Sequence, residues 1–357
     1  MSLKFQPLRV KAIVPETEQA YTIQFEGYDA QQFAYLPGQY LTLKVDIGSE
    51  VLRRAYSLSS SPVTDSHLSV TIKAVEGGRA SNHLKQHLKP GDTLDSLPPM
   101  GNFIARLDPD TERHYVLIGG GSGITPLMSI LKSVLVGEEH SRVSLIYVNT
   151  NEDCIIFRQA LADLQGSYPG RLEVYHVLTQ PEPGWTGPTG RFEGRLAFEL
   201  LQKVIASDSL RKVFYLCGPQ GLMDNAADTL ELLNVGENLI HREYYSAPVA
   251  DESDDAGAAA EEDYEVVTRQ VKVMLDGKTT ELTVTPDQTI LQSAIKAKLD
   301  PPYACEEGVC CTCRAKVHSG MVAMRENEGL SESELNAGYV LTCQAQPLSD
   351  GVVVEFC

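Results

Sequence analysis

Cys305-Glu-Glu-Gly-Val-Cys310-Cys-Thr-Cys313, followed by the distant Cys343, is the stretch from which the rest of the chain is best read. It has the form C-x4-C-x2-C plus a fourth cysteine, the plant-type spacing of a [2Fe–2S] site. Two irons need four thiolates. A long tight loop supplies three, Gly308 permits a left-handed turn within it, and Cys343 is expected from a separate strand. Cys305, Cys310, Cys313 and Cys343 are the candidate metal ligands. Strands at Gln270–Leu275 and Glu281–Val284, then a helix over Ile290–Leu299 stopped by Pro301-Pro302, give this segment a small α+β (β-grasp) scaffold. A structural zinc would prefer paired C-x2-C knuckles, and one pair is present, so zinc is disfavoured and a disulfide knot more so. Cys311, the fifth cysteine here, reads as a small packed residue, with a substitute ligand as the alternative.

The chain is 357 residues long, enough for two or three cores. Eight cysteines, five of them between 305 and 343, point to metal binding rather than disulfides. The net charge of −18 argues against nucleic acid as a partner. No apolar run reaches the roughly 18 residues of a membrane span, so no membrane partner is expected. The N-terminus, with early charges and a proline, does not read as a secretion signal, and a cytoplasmic location is expected.

Eight carboxylates and no Lys or Arg lie between 251 and 265. Poor in large apolar residues, the stretch 248–265 reads as an extended, self-repelling linker. It separates a C-terminal domain at 266–357. Upstream, short strands at Ala20–Phe25, Tyr40–Val45 and Leu68–Ala74, punctuated by Pro-Gly turns, predict an antiparallel β-barrel domain over 1–106. From 107 to 247, strands His114–Ile118, Val143–Asn149, Leu172–Leu178, Val213–Leu216 and Leu239–Glu243 alternate with helices Pro126–Val136, Asp153–Leu164, Leu196–Ile205 and Pro219–Leu233. That alternation predicts a doubly wound parallel α/β domain.

Two further motifs suggest nucleotide chemistry. Arg54-Ala55-Tyr56-Ser57 and Lys73…Gly77-Gly78-Arg-Ala-Ser81 offer a cation and a helix N-terminus for a pyrophosphate. They also offer an aromatic wall and a hydroxyl for a flavin ring. Gly119-Gly-Gly121-Ser-Gly123-Ile-Thr125-Pro126 runs from an apolar strand through a glycine turn into a helix, as a dinucleotide phosphate site requires. It ends in Pro where the Rossmann fingerprint has Gly. Cys217-Gly218-Pro219 places a thiol at the carboxyl edge of the same sheet, where ligands bind; a buried apolar thiol is the alternative.

In this order the motifs resemble the ferredoxin–NADP reductase superfamily. Within it, they resemble the oxygenase reductases that end in a plant-type ferredoxin domain. Phe157–Leu164 and Gly338–Leu348 are similar to reductases of the phenylacetyl-CoA epoxidase type, with the 3-ketosteroid hydroxylase type next. The resemblance implies an NAD(P)H-dependent oxidoreductase with FAD, FMN being the alternative. Electrons would pass from hydride through the flavin to the [2Fe–2S] site, and on to an oxygenase protein as acceptor. It implies that Arg54, Ala55, Tyr56, Ser57, Lys73, Gly77, Gly78 and Ser81 surround the flavin. Glu243 and Tyr245 would close its pocket, and Thr125 and Cys217 would flank the nicotinamide. Ser57, Cys217, Glu243 and Tyr245 are thus the candidate catalytic residues, Tyr245 standing where the family usually has Phe. A stand-alone flavin or ferric reductase and a redox sensor are the rival readings. For the donor, Thr150 stands where epoxidase-type reductases carry Arg. With Glu152 and Asp153 beside it, the stretch favours NADH over NADPH.

Overall fold

The computed structural model describes residues 3–247 and 267–356. The acidic stretch read as a linker, and Cys357, lie outside them. Six strands form the first sheet: β1 (Gln6–Pro15), β2 (Ala20–Glu26), β3 (Tyr40–Ile47), β4 (Glu50–Ser57), β5 (Leu68–Lys73) and β6 (Thr93–Ser96), in spatial order β4-β3-β6-β1-β2-β5. All its pairs are antiparallel, and the two edges meet only at the Leu58–Val70 bridge, so the barrel is partly open there. Leu41, Leu43 and Val45 of β3 fill its interior with Leu8, Ile23, Phe25 and Val70. The alternate residues Tyr40 and Thr42, which ordinary period-2 patterning would leave in water, are buried too. A second body must therefore cover the outside of β3. Helix α1 (Arg79–His87) follows β5 through Gly77, at φ 70°, and Gly78.

The second sheet holds β7 (Arg113–Gly120), β8 (Arg142–Asn149), β9 (Leu172–Leu178), β10 (Arg211–Cys217) and β11 (Ile240–Glu243), all parallel, in order β11-β10-β7-β8-β9. Helices α2 (Ile124–Gly137) and α3 (Arg158–Ser167) pack on one face, and α4 (Gly194–Ile205) and α5 (Gln220–Leu232) on the other. The chain leaves β7 toward β8 and β9, then returns to lay β10 on β7's other side. The topological switch therefore falls between β7 and β10. One expected helix is broken: the run from Asp153 begins as a short 3-10 turn, Glu152–Cys154, and α3 starts only at Arg158. Asn151 Oδ1 accepts the Cys154 N–H at 3.2 Å, closing the short turn. Phe157 then takes a left-handed φ of 62° that turns its ring into the core.

The C-terminal unit contains β12 (Arg269–Leu275), β13 (Lys278–Val284), β14 (Arg314–Ser319), β15 (Val322–Met324), β16 (Tyr339–Leu341), β17 (Ala345–Pro347) and β18 (Val352–Phe356). Its main sheet runs β13-β12-β18-β14-β16, with β15 and β17 paired apart. Helix α6 (Ile290–Lys296) begins in a Thr289–Gln292 capping box and buries Ile290, Leu291 and Ala294. It ends earlier than Leu299, because Lys298 turns left-handed (φ 62°). The short α7 (Glu332–Asn336) precedes β16. Cys343 does not lie on a strand as expected; it sits in the turn between β16 and β17.

Candidate functional site: a flavin cradle, a nicotinamide edge and a cysteine loop

Arg54, Ala55, Tyr56, Ser57, Lys73, Gly77, Gly78 and Ser81 line one cavity of about 460 Å3, closed on its far side by Ser122, Thr125 and Tyr245. The fold explains the convergence. β4 ends at Ser57, antiparallel β5 ends at Lys73, and the glycine turn aims the α1 N-terminus at the same space. Gly78 is needed for closeness: a Cβ there would fall 2.6 Å from both the Ser81 hydroxyl and Val75. An exposed guanidinium, free helix amides and an elongated cleft with an aromatic wall fit a flavin bound through its phosphates.

The glycine turn lies where the parallel sheet switches direction. Gly119 pairs with Cys217 across β7 and β10, so Gly119–Gly123 and Cys217-Gly218-Pro219 face each other at the carboxyl edge. A Cβ on Gly123 would lie 2.0 Å from the Cys217 carbonyl oxygen, and one on Gly120 2.8 Å from Pro219. Only glycine lets the two loops approach so closely. Thr125 and Pro126 open the first turn of α2. Lys73 reaches over from the barrel toward Gly121. The nicotinamide edge and the flavin cradle thus share one wall.

At that wall the side chains join in a partly buried polar network. Ser57 Oγ donates to Glu243 Oε2 at 2.9 Å, and the Cys217 thiol donates to the same oxygen at 3.9 Å. The Tyr245 hydroxyl lies 2.9 Å from Thr125 Oγ1 and 3.4 Å from Ser57 Oγ, and donates to the Ser122 carbonyl at 3.3 Å. Tyr245 as a whole is 43% exposed, yet this hydroxyl end sits inside the network. Burial pushes the Glu243 carboxyl up to about 8, so near neutrality it is mostly an uncharged acid. Burial, with Glu243 second, keeps the Cys217 thiol well above its usual range and therefore protonated. The group nearest the nicotinamide edge is a thiol, not a thiolate nucleophile.

The four candidate ligand cysteines share one packed cluster, with Cys310, Cys313 and Cys343 buried in it and Cys305 against it. The thiols act on one another: Cys310 and Cys343 hold the Cys305 thiol low, and Cys343 does the same to Cys313. The Glu307 amide donates to the Cys305 sulfur at 3.4 Å. Gly308 is left-handed (φ 83°), and a Cβ there would meet Glu326 at 2.9 Å. Among the described residues, no three His, Cys, Asp or Glu groups converge as one ion requires. A two-iron group would be held by Cys305, Cys310, Cys313 and Cys343, which stand together in this loop, and it would supply one-electron chemistry there. Cys311 points elsewhere, toward the barrel, with its sulfur 3.4 Å from the Tyr40 hydroxyl.

What covers the outside of β3 is this cysteine loop. Tyr40 belongs to one apolar cluster with Cys310, Cys311, Cys313 and Cys343, flanked by Ala55 and Met100. Sequence reading missed the residue that bolts the two bodies together. Arg53, 6% exposed, donates to the Pro301 carbonyl at 2.8 Å and pairs with Asp300. Its guanidinium lies between the Phe5 and Tyr303 rings, 4.9 and 4.3 Å from their centroids. Asn102 adds bonds to the Gly329 carbonyl and to Glu334 at 3.0 and 2.6 Å. Nothing local distinguishes Arg53 from its exposed neighbour Arg54; the only hint was strand alternation, which puts the two on opposite faces. Beside this junction a cavity of about 170 Å3 is walled by Arg54, Ala55, Ser57, Glu243 and Tyr245 on one side and by Cys305 and Cys310 on the other.

A flavin cradle sharing one wall with a nicotinamide edge and another with an iron–sulfur loop defines an electron-transfer oxidoreductase that carries its own ferredoxin unit. Family models bear this out along the chain. Residues 7–104 match the oxidoreductase FAD-binding domain, 117–228 the oxidoreductase NAD-binding domain and 273–348 the 2Fe-2S iron-sulfur cluster binding domain. The chain is 38% identical to a subunit of 1,2-phenylacetyl-CoA epoxidase from Escherichia coli (strain K12), over 99% of this chain and 98% of that one. It is 35% identical to the ferredoxin reductase component of 3-ketosteroid-9-alpha-monooxygenase from Rhodococcus rhodochrous, over 98% and 96%. Among solved structures, phthalate dioxygenase reductase shares the whole fold (TM-score 0.59, 22% identity, 98% of each chain). An intact type IV self-sufficient cytochrome P450 monooxygenase contains the same fold within 41% of its length (TM-score 0.69, 22% identity, 98% of this chain). The chain belongs to the family of FAD-, NAD- and [2Fe–2S]-containing reductase components of oxygenases.

Proposed function

We propose that this reductase serves an oxygenase of the phenylacetyl-CoA epoxidase type, drawing on NADH. The observation that carries the electron route is the small cavity walled by flavin-cradle residues on one side and Cys305 and Cys310 on the other. Domains at 1–106, 107–247 and 266–357, with an acidic linker at 248–265, form our working division of a cytoplasmic protein. When bound, the nicotinamide and flavin supply two-electron chemistry and the iron–sulfur group accepts single electrons. The chain's residues do the placing. Arg54, Gly77, Gly78 and Ser81 hold the flavin phosphates, and Tyr56 and Tyr245 flank its ring. Gly119–Gly123 and Pro126 seat the dinucleotide. Ser57 presents its hydroxyl to the reacting edge, held by a neutral Glu243, while Thr125 and Cys217 exclude water. Cys305, Cys310, Cys313 and Cys343 hold the irons.

Identity along the whole chain to the epoxidase protein supports this choice of partner, with the steroid monooxygenase reductases as the second reading. Titrating the purified reductase into each oxygenase separates them. Full NADH-to-product coupling with the epoxidase oxygenase and phenylacetyl-CoA supports the proposal. Coupling only with a steroid oxygenase overturns it.

For the donor, no Lys or Arg lies between Ser144 and Phe157. Arg113 starts β7, at the end of the sheet opposite the glycine turn, and is too far to serve. Arg158 opens α3. Glu152 already accepts the Glu182 amide at 3.1 Å, fixing an anion beside this edge. A like charge within a few ångströms costs on the order of several kcal/mol before screening. NADH is therefore expected to exceed NADPH at least ~10-fold in kcat/KM, and every ~1.4 kcal/mol of surviving repulsion gives that factor. Steady-state kinetics with both donors at matched salt check it.

A further inference from the structure

Strand β4 carries two arginines side by side that face different bodies. Arg54 and Tyr56 line the flavin cradle, whereas Arg53 is buried against the cysteine unit. There its guanidinium donates to the Pro301 carbonyl at 2.8 Å, pairs with Asp300 and lies 4.3 Å from the Tyr303 ring centroid. Phe5 closes the barrel side of the sandwich at 4.9 Å. Both ends of this contact border a cofactor site. Arg53 immediately precedes Arg54, and Tyr303 stands just before Ala304 and Cys305. Arg54 and Cys305 in turn wall the same small cavity.

Burying a guanidinium is costly, and a well-packed apolar side chain of similar volume would hold two bodies together as well or better. Among the described residues the Arg53 Nε has no hydrogen-bond partner, so that cost is only partly offset. What a guanidinium adds over an apolar plug is direction. It lies between two rings while its terminal nitrogens reach one carbonyl and one carboxylate. Sliding or rotating the ferredoxin unit along β4 breaks one set of contacts or the other.

We propose that Arg53 is the positioning residue for the electron step from flavin to iron, fixing the pose in which Cys305 and Cys310 face the cradle. Electron transfer between buried centres falls steeply with their separation. A loosened pose therefore slows that step, while hydride transfer, which involves only the other two domains, is untouched. Arg53 itself lines neither the cradle nor the cavity before the cysteines. The inference rests on the flavin and iron–sulfur readings above and is independent of which oxygenase takes the electron.

The test uses the intact holoprotein and two readouts. Stopped-flow mixing with NADH reads flavin bleaching first and iron–sulfur reduction second. Hydrogen exchange of the Cys311 amide, which donates to the Tyr40 hydroxyl of the other body at 3.2 Å, reads docking without turnover. In Arg53→Met the second phase should slow and the Cys311 amide should exchange faster, each by about tenfold, as expected for losing one hydrogen bond from a charged group. Flavin bleaching should keep its wild-type rate. Asp300→Asn, at a mostly exposed carboxylate on the ferredoxin side, should shift both readouts the same way by less. It should add nothing to Arg53→Met. An unchanged second phase in Arg53→Met sinks the proposal even if exchange quickens, because Arg53 would then hold the bodies together without governing the electron step. Slowed flavin bleaching sinks it too, by assigning Arg53 to the cradle. If Arg53→Met fails to load its cofactors, Asp300→Asn decides the matter alone. A wild type that bleaches without a second phase overturns the iron–sulfur reading itself, a failure distinct from the others.

Discussion

Replacing any one of Cys305, Cys310, Cys313 or Cys343 by serine is expected to abolish the low-temperature EPR signal of the reduced protein and to cut electron delivery to an oxygenase to background. NADH-driven reduction of ferricyanide should persist, because it needs the flavin and not the irons. The size of the effect follows from chemistry that has no partial form: two irons share four thiolates, and losing one leaves an open coordination position. Cys311 is turned toward Tyr40 and stands outside the C-x4-C-x2-C ligand spacing, so Cys311→Ser should keep the signal. Cys154→Ser, Cys217→Ser and Cys357→Ser should keep it as well. Loss of the signal in Cys311→Ser, with retention in any of the four, would overturn the ligand set.

Ser57→Ala is expected to slow flavin reduction by NADH by about 10²-fold, measured by stopped-flow bleaching of the flavin band. One positioned donor at a reacting atom is worth roughly 10²–10³ in rate. Here its loss also strips the buried Glu243 carboxyl of its 2.9 Å partner. Glu243 brings a pH dependence with a definite sign. Its pKa in the fold is about 8, against an ordinary value of 4.5. Below about 8 it is neutral. Above, an anion sits beside the acceptor, so flavin reduction should slow as pH rises through about 8. Glu243→Gln, a neutral isostere, should flatten that limb. The raised pKa has a second consequence through linkage. The unfolded chain releases this proton near 4.5 while the folded chain holds it to about 8. Stability contributed by the proton is therefore complete below 4.5 and is lost as pH rises through about 8. Thermal melts across that window should decline less steeply in Glu243→Gln; an unchanged slope would assign the pH dependence to another group.

Legibility in the sequence tracked how local the determining physics was. The glycine turns, the C-x4-C-x2-C loop and the strand–helix alternation each encode their conformation over a few residues, and the structure places them in those elements. Nine candidate flavin contacts, from Arg54 to Tyr245, line a single cavity because they occupy strand ends and turns whose roles are set locally. The broken helix at 152–158 was not legible, because a side-chain cap at Asn151 and a left-handed Phe157 outcompeted the helical pattern.

By itself the sequence determined the kinds of element, their order and the residues equipped for phosphate, flavin and iron. Only the tertiary structure decided that the β7–β10 switch brings Cys217 onto Gly123, and that Arg53 rather than Arg54 is the buried guanidinium. It alone showed that the outer face of β3 is covered by the cysteine loop. The physical reason is sequence distance. Tyr40 and Thr312 are 272 residues apart, and a hydroxyl's partner across such a span leaves no periodicity, cap or spacing to read. What buries the outer face of β3 is a matter of packing.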